Sequence, residues 1–328
     1  MAAGINVATA GATNPGGGGV PSQMSSNIMN IYSQEVLFRA QPILRFEAFA
    51  SRKDELGVAP GLTIKFLKYS RLTGDAALTE NTDLVTDTLT SNLIDITVAE
   101  HGKAIAVSEL LLRSSFTDVM SDAALLLGQH LARYRDGIIR DALYDGSTNI
   151  RRQNGRASRA AILANDLLDT NLIREGVEVL ASLRCPKILG DAYVMFIHPH
   201  QARYLRTDPD WVSASHYGDP TQIFAGEIGR FEDVRFIETT QISYVDQSGD
   251  VYADGVATGE SFVDYSTVAN AYRGIMLGDH AVGLAVSLEA ELRDNGIKDF
   301  GRRHELAWYG IWGTGVIESA HSIILETA

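Results

Sequence analysis

Between residues 115 and 145 apolar side chains recur every three or four positions: Phe116, Met120, Ala123, Leu127, Leu131, Tyr134, Ile138 and Ala142. That spacing keeps one face of an α-helix apolar without a break. At 1.5 Å per residue, some thirty residues make a rod of about 45 Å. The ordinary globular helix has about eleven or twelve residues. A rod this long must find cover along its whole length, which restricts the chain to architectures built on a spine. Ser115, with Asp118 three residues on, resembles a capping box that would open the helix. Asp145-Gly146 reads as its stop.

The segment before the spine has the opposite character. Thr63 to Tyr69 (TIKFLKY) alternates as a strand, with Ile64 and Phe66 on one face. Residues 73–92 are polar, rich in Thr and Asp, and poor in anything that packs. Leu93 to Val98 (LIDITV) reads as a return strand, His101-Gly102 as a turn, and Ala104 to Val107 as a further short strand. The simplest account is a long hairpin over 58–109 with a solvated acidic tip. A two-stranded ribbon is at best marginally stable alone, so this one is expected to borrow its support from an adjacent copy of the chain. Upstream, residues 1–27 are Gly, Ala, Thr, Asn, Ser and Pro without periodicity and read as a flexible arm. Gly16 to Gly19 is no phosphate loop, because no Gly-Lys-Ser/Thr follows. Residues 28–57 read as an N-terminal helical segment: a helix over 28–41 capped by Asn27 and ended by Pro42, then an apolar patch at Ile43, Leu44, Phe46 and Phe49.

Beyond the spine, residues 147–160 read as a loop carrying Arg151, Arg152, Arg156 and Arg159. Asp169 or Thr170 should cap a helix through Leu172, Ile173, Val177, Leu180 and Leu183. Tyr193 to Ile197 (YVMFI) is a buried type of strand, Pro199 opens a short helix, and Val234 to Ile237 is another strand. Helix and strand alternate here as in an α/β or α+β layer. Residues 281–292 and 304–317 read as two long antiparallel strands. The charged segment Arg293 to Arg303 (RDNGIKDFGRR) would be a protruding loop, with Asn295-Gly296 as its turn.

Little of the sequence points to catalysis. There is no GxSxG, HExxH, Walker or GxGxxG pattern. One cysteine among 328 residues excludes an internal disulfide and a cysteine zinc cage. His198-Pro199-His200 is the one close histidine pair, and no third metal ligand accompanies it, whereas catalytic zinc takes three. No catalytic residue, metal or cofactor is therefore expected, although a soluble enzyme using His198 and His200 remains a rival of a different class. Cys185 reads as inert and His130 as a satisfied face residue of the spine. Glu289 and Glu291 share a strand face and read as a charged strip rather than an acid/base pair. The arginine cluster leaves three readings open: a solvated loop, a contact with a partner's acidic surface such as the 75–87 tip, or contact with DNA. The formal net charge of -13 is not the basic footprint of a free-standing nucleic-acid binder. No stretch approaches a membrane span, and Met1-Ala-Ala-Gly-Ile lacks the basic start of a secretory signal.

The order of the parts is what carries a resemblance. Residues 63–69 lead into Leu78-Thr79-Glu80. His101-Gly102 is followed by Ala104 to Ser108, His198-Pro199 stands at a strand end, Gly226-Glu-Ile-Gly229 precedes Val234-Arg-Phe-Ile-Glu238, and the closing strands hold Trp308-Tyr309-Gly310. Together these resemble the major capsid proteins of tailed bacteriophages, with the α+β Hong Kong 97-like fold, and more narrowly the phage N-four-type subfamily. The resemblance implies an extended hairpin (the E-loop) at 58–109. It implies a peripheral domain from the spine helix at 110–147 plus strands and a C-terminal return at 281–328, and an axial domain at 148–280. Residues 293–303 would be the loop that meets its own copies. Contact candidates between subunits are Lys65, Lys68, Asp75, Glu80, Asp83 and Asp87 on the hairpin, the four arginines of 151–159, and Arg293, Asp294, Lys298, Asp299, Arg302 and Arg303. Implied partners are copies of the chain in pentamers and hexamers, a portal, a separate scaffolding protein, decoration proteins, and packaged DNA touched without sequence preference. An encapsulin-like compartment shares the fold and is the nearer rival.

Overall fold

A computed structural model describes residues 45–54, 63–69, 86, 88–115, 118–188, 190–211, 227–253, 256–261 and 269–328. The expected arm over 1–27, the helix over 28–41 and the hairpin tip with Asp75, Glu80, Asp83 and Asp87 lie outside the described residues. The first strands are β1 (Ser51–Lys53), β2 (Thr63–Tyr69), β3 (Ser91–Thr97) and β4 (Ala99–Ser108). Two helices follow, α1 (Glu109–Ser114) and α2 (Val119–Gly146). The middle of the chain holds β5 (Asn149–Arg152), α3 (Thr170–Ser182), β6 (Tyr193–Ile197), α4 (Pro199–Leu205), β7 (Glu227–Phe231), β8 (Val234–Glu238), β9 (Tyr244–Val245), β10 (Asp250–Ala253), β11 (Val256–Ser261) and β12 (Ala271–Leu277). The last strands are β13 (Val282–Lys298), β14 (Arg303–Val316) and β15 (Ser322–Thr327). The mixture is the α+β class expected.

These strands make two main sheets and one ribbon. The smaller sheet runs β1-β13-β14-β4, and the larger runs β11-β10-β9-β12-β6-β8-β7 with β15 beside β12 and β5 beside β15. The larger sheet is covered on both faces, so β6 is buried at every residue. Its Tyr193, Met195 and Ile197 pack with Leu172, Ile173 and Leu180 of α3 and Ala202 and Leu205 of α4. Its Val194 and Phe196 face the other way, onto Phe46 and onto Ile139 and Leu143 of α2. A strand buried on both sides has no use for a polar alternation, which is why YVMFI is continuously apolar.

The spine helix serves both sheets. At 28 residues it is about 42 Å long. Val119, Ala123 and Leu127 pack on Leu306, Trp308 and Trp312 of the smaller sheet, while Ile139 and Leu143 reach the larger one. The expected stripe holds at Ala123 and Leu127, but Tyr134 is exposed and the buried line continues through Arg135, Ile139 and Leu143. That line advances by four residues, which turns it about 40° round the helix at each step. Two sheets at different azimuths demand that drift. The cap is also corrected. Asp118 alone accepts from the amides of Met120 and Ser121, and Ser115 instead ends the separate α1.

The hairpin is shorter than expected at its base. β2 and β3 pair with Ile64 opposite Ile96 and Phe66 opposite Ile94. Ile64, Phe66, Ile96 and Val98 lie on Ala285, Ile311 and Ile317 of the same chain. One face of the ribbon base thus rests on its own smaller sheet, and the other face is exposed among the described residues. His101-Gly102 is no turn, because β4 continues through it and pairs with β14 from Ala99 to Ser108. Gly102 is needed for close approach: a Cβ there would stand 3.0 Å from the Trp308 carbonyl oxygen. Asn295-Gly296 is likewise a bulge inside β13, with a register shift between Asp294 and Gly296 and φ +72° at the glycine. The ribbon turns only at Asp299–Arg302, where the Arg302 amide donates to the Asp299 carbonyl at 3.1 Å. The expected protruding loop at 293–303 is therefore mostly ladder. Finally, β15 belongs to the larger sheet, antiparallel to β12 and parallel to β5.

Candidate functional site

The groups best suited to chemistry have structural duties. The His198 ring accepts from the His200 amide at 3.1 Å and caps α4, while the Gln201 side chain accepts from the His198 amide at 3.2 Å. His198 packs on Tyr272 and Tyr244, and His200 stacks on Tyr272 at 4.5 Å. Burial, and then the neighbouring His200, push the His198 imidazole down to about 4. Burial, and then Asp279, push the Cys185 thiol up to about 12, so it holds no reactive thiolate near neutral pH. Among the described residues no group of three His, Cys, Asp or Glu side chains is placed to hold a metal. Glu289 and Glu291 do not act as a pair. Glu289 binds Arg135 at 2.5 Å and Arg52 at 2.6 Å, and Glu291 binds Arg293 at 2.6 Å.

The arginine cluster corrects the loop reading. Residues 149–152 are a strand, followed by short 3-10 turns at Gln153–Gly155 and Arg159–Ala161. Arg152 reaches the fully buried Glu326 at 2.6 Å, and the Nε of Arg159 donates to the other oxygen of the same carboxylate at 2.9 Å. Arg156 donates to the buried Asp166 at 2.7 Å, beside Asn154 at 2.7 Å. Burial alone would raise Asp166, but Arg156 and the Leu163 amide outweigh it and hold the carboxyl below its usual range. Three of the four arginines are thus committed inside their own chain, and only Arg151 stands exposed. A third buried carboxylate, Asp136 on the spine, accepts from the amides of Arg45, Phe46 and Glu47 at 3.3, 2.8 and 3.0 Å. It fixes the point where the N-terminal segment enters the fold.

What the chain leaves open is a surface. Thirteen large apolar side chains among the described residues are exposed, and eleven of them lie on the hairpin, the helices α1 and α2, and the β13–β14 ribbon. On the outer face of the hairpin Leu67 stands opposite Leu93, with Tyr69 and Leu89 beyond. The signal was in the sequence: Leu67 follows Phe66 directly and breaks the alternation, so the strand carries apolar groups on both faces. Lys65 lies on that outer face, 3.8 Å from Asp95. Lys68 lies on the inner face and pairs with Glu318. On the ribbon, Arg293 also stacks on Tyr309 at 4.2 Å, Asp294 meets His304 at 2.8 Å and Arg302 meets Asp299 at 3.6 Å. Lys298 and Arg303 face each other across the strands. Phe300 at the tip is completely exposed, and sequence reasoning that followed charge passed over it.

Residues 144–315 match the family described as phage capsid protein. No curated protein matches the chain. Among solved structures, the capsid of Ralstonia phage GP4 is similar at 17% identity and a TM-score of 0.70, covering 95% of this chain and 98% of that one. The capsid of cyanophage Pam1 is similar at 16% identity and a TM-score of 0.70, covering 93% and 97%. The acid-stable capsid of Helicobacter pylori bacteriophage KHP30 is similar at 14% identity and a TM-score of 0.68, covering 96% and 99%. The Hong Kong 97-like fold read from the order of elements is thereby shown.

Proposed function

The chain belongs to the phage capsid protein family, and from that premise we propose that it is the major capsid protein of a virion head, forming the pentamers and hexamers of an icosahedral shell around double-stranded DNA. The observation that carries this reading is the uneven distribution of exposed apolar groups. A chain that buries its larger sheet on both faces yet leaves Leu67, Leu93, Ile297 and Phe300 in water has surface reserved for copies of itself. The outer hairpin face lies across a neighbouring subunit, with Lys65 at the rim of that contact, and Asp75, Glu80, Asp83 and Asp87 are further contact candidates. Arg151, Arg293, Asp294, Lys298, Asp299, Arg302 and Arg303 stand at further subunit borders, whereas Arg152, Arg156, Arg159 and Lys68 hold the subunit itself together. Each contact can be weak because a shell closes many at once.

The finer parts of the reading follow from the same resemblance: membership of the N-four-type subfamily, assembly in the host cytoplasm on a separate scaffolding protein, and contacts with a portal and with decoration proteins. A net charge of -13 suits a wall along which DNA slides without sticking. The test is particle size. Purified full-length chain, examined by light scattering and electron microscopy, is expected to give hollow particles of megadalton mass. A stable monomer at high concentration, with and without the scaffolding protein, would overturn the proposal.

A further inference from the structure

Phe300 is held where no described residue of its own chain covers it. It lies between Asp299 and Gly301 in a run of three left-handed residues, with φ of 52°, 53° and 95°. That conformation is disfavoured for a bulky L-residue, and the side chain is fully solvent-exposed. Asn or Gly would serve such a turn better on backbone grounds. Two more large apolar groups are open at the same end of the smaller sheet. Ile297 stands in register with His304, which stands in register with Val107. Along that row Val107 is 2% exposed beneath the helices, while Ile297 on the edge strand is 70% exposed. Leu110, 79% exposed, starts α1 against the turn, where the Glu109 amide donates to the Arg302 carbonyl at 2.9 Å.

The charges around this trio do not explain an attraction between copies. Arg293, Asp294 and Arg302 have partners within the ribbon. Lys298 and Arg303, which no carboxylate meets among the described residues, carry the same sign and lie opposite one another. Tips brought together would repel through them. We infer that copies of this chain meet at the ribbon tip through an apolar contact centred on Phe300 and flanked by Ile297 and Leu110, with the charges forming its wet rim. The inference rests on the proposal that residues 293–303 border another subunit, and it names the chemistry of that border. Identical tips gathered about an axis can each present Phe300 to the next, because a rotational contact joins two different faces of one patch.

The test uses the full-length chain and three variants. Phe300→Asn keeps a residue that accepts the left-handed turn and removes the apolar ring; Phe300→Leu keeps apolar character; Lys298→Gln with Arg302→Gln and Asp299→Asn removes rim charge. Thermal unfolding of unassembled subunits reports folding, and light scattering reports the threshold concentration for particles. Phe300→Asn should unfold at the wild-type temperature yet raise the threshold at least tenfold. Phe300→Leu should stay within threefold, and the charge variant should assemble at the wild-type threshold or below. Wild-type assembly by Phe300→Asn with failure of the charge variant would overturn the inference and leave the border reading standing. Wild-type assembly by every variant would remove both. Loss of folding in Phe300→Asn would overturn it too, since an uncovered ring cannot be needed by its own core.

Discussion

The larger and smaller sheets treat polar and apolar groups in opposite ways. The larger sheet buries charge and completes it: Glu326 has two arginines and Asp166 has an arginine, an asparagine and a backbone amide. Of the thirteen exposed large apolar side chains among the described residues, only Leu163 and Leu183 belong to its neighbourhood. Apart from the buried Arg135 of the spine on Glu289, the smaller sheet with its hairpin and ribbon keeps its charge pairs at the surface, where each contributes little, and exposes its leucines. The contrast teaches that a subunit can be finished in one half and unfinished in the other. The closed half supplies a rigid body, and the open half supplies the edges at which bodies join.

The contrast can be broken or sharpened by substitution. The largest effect is expected at Glu326→Ala, which strands Arg152 and Arg159 beside a buried site. A loss of about 3–5 kcal/mol is the usual scale for removing one partner of a buried ion pair, measured by denaturant unfolding of unassembled subunits. Phe66→Ala, on the covered face of the hairpin, should cost about 3 kcal/mol, seen as early loss of protection in hydrogen exchange over 63–69 and 91–97. A value near zero would mean that the ribbon base is not seated on its own chain.

Acid should act through the closed half. The folded His198 titrates near 4, below its ordinary 6.5, so as pH falls the unfolded chain takes the proton first. Stability is then lost between about 6.5 and about 4, with no further loss from this group below that window. His198→Asn retains a capping side chain but nothing that titrates there, so its unfolding temperature should fall less over the same range. An unchanged pH profile would assign the acid sensitivity elsewhere. The smallest effect on the subunit is expected at Leu67→Ser, within about 0.5 kcal/mol as for an exposed position, while particle yield drops. If Leu67→Ser cost the subunit as much as Phe66→Ala, the outer face would not be open at all.

Period alone made much of the fold legible. Thr63 to Tyr69, Tyr193 to Ile197 and the spine stand where alternation, an apolar run and a three-four spacing put them. The ordered set of elements carried the fold class. What failed depended on partners remote in sequence. Nothing near Arg152 or Arg159 announces Glu326, 174 and 167 residues away, so the cluster read as a surface loop. The drift of the spine's buried line needs two sheets at two azimuths, and a helical wheel holds neither. Asn295-Gly296 has the chemistry of a turn, but those dihedrals also suit a bulge, and only the cross-strand register separates the two. At the tip, charge drew the eye from Phe300 because six ionic residues surround one ring.

Strand pairing over long separations has a consequence in time. Arg152 of β5 meets Glu326 of β15 across 174 residues, and Ser51 of β1 meets His280, next to β13, across 229. Closing loops of that span is slow compared with forming the local helices. During synthesis the spine can therefore coil early while the smaller sheet, and the pairing of β15 with β5 and β12, wait for residues beyond 280. A half-made polypeptide has no seat for the hairpin and no ribbon tip, so the joining edges become available only to molecules that have already finished folding.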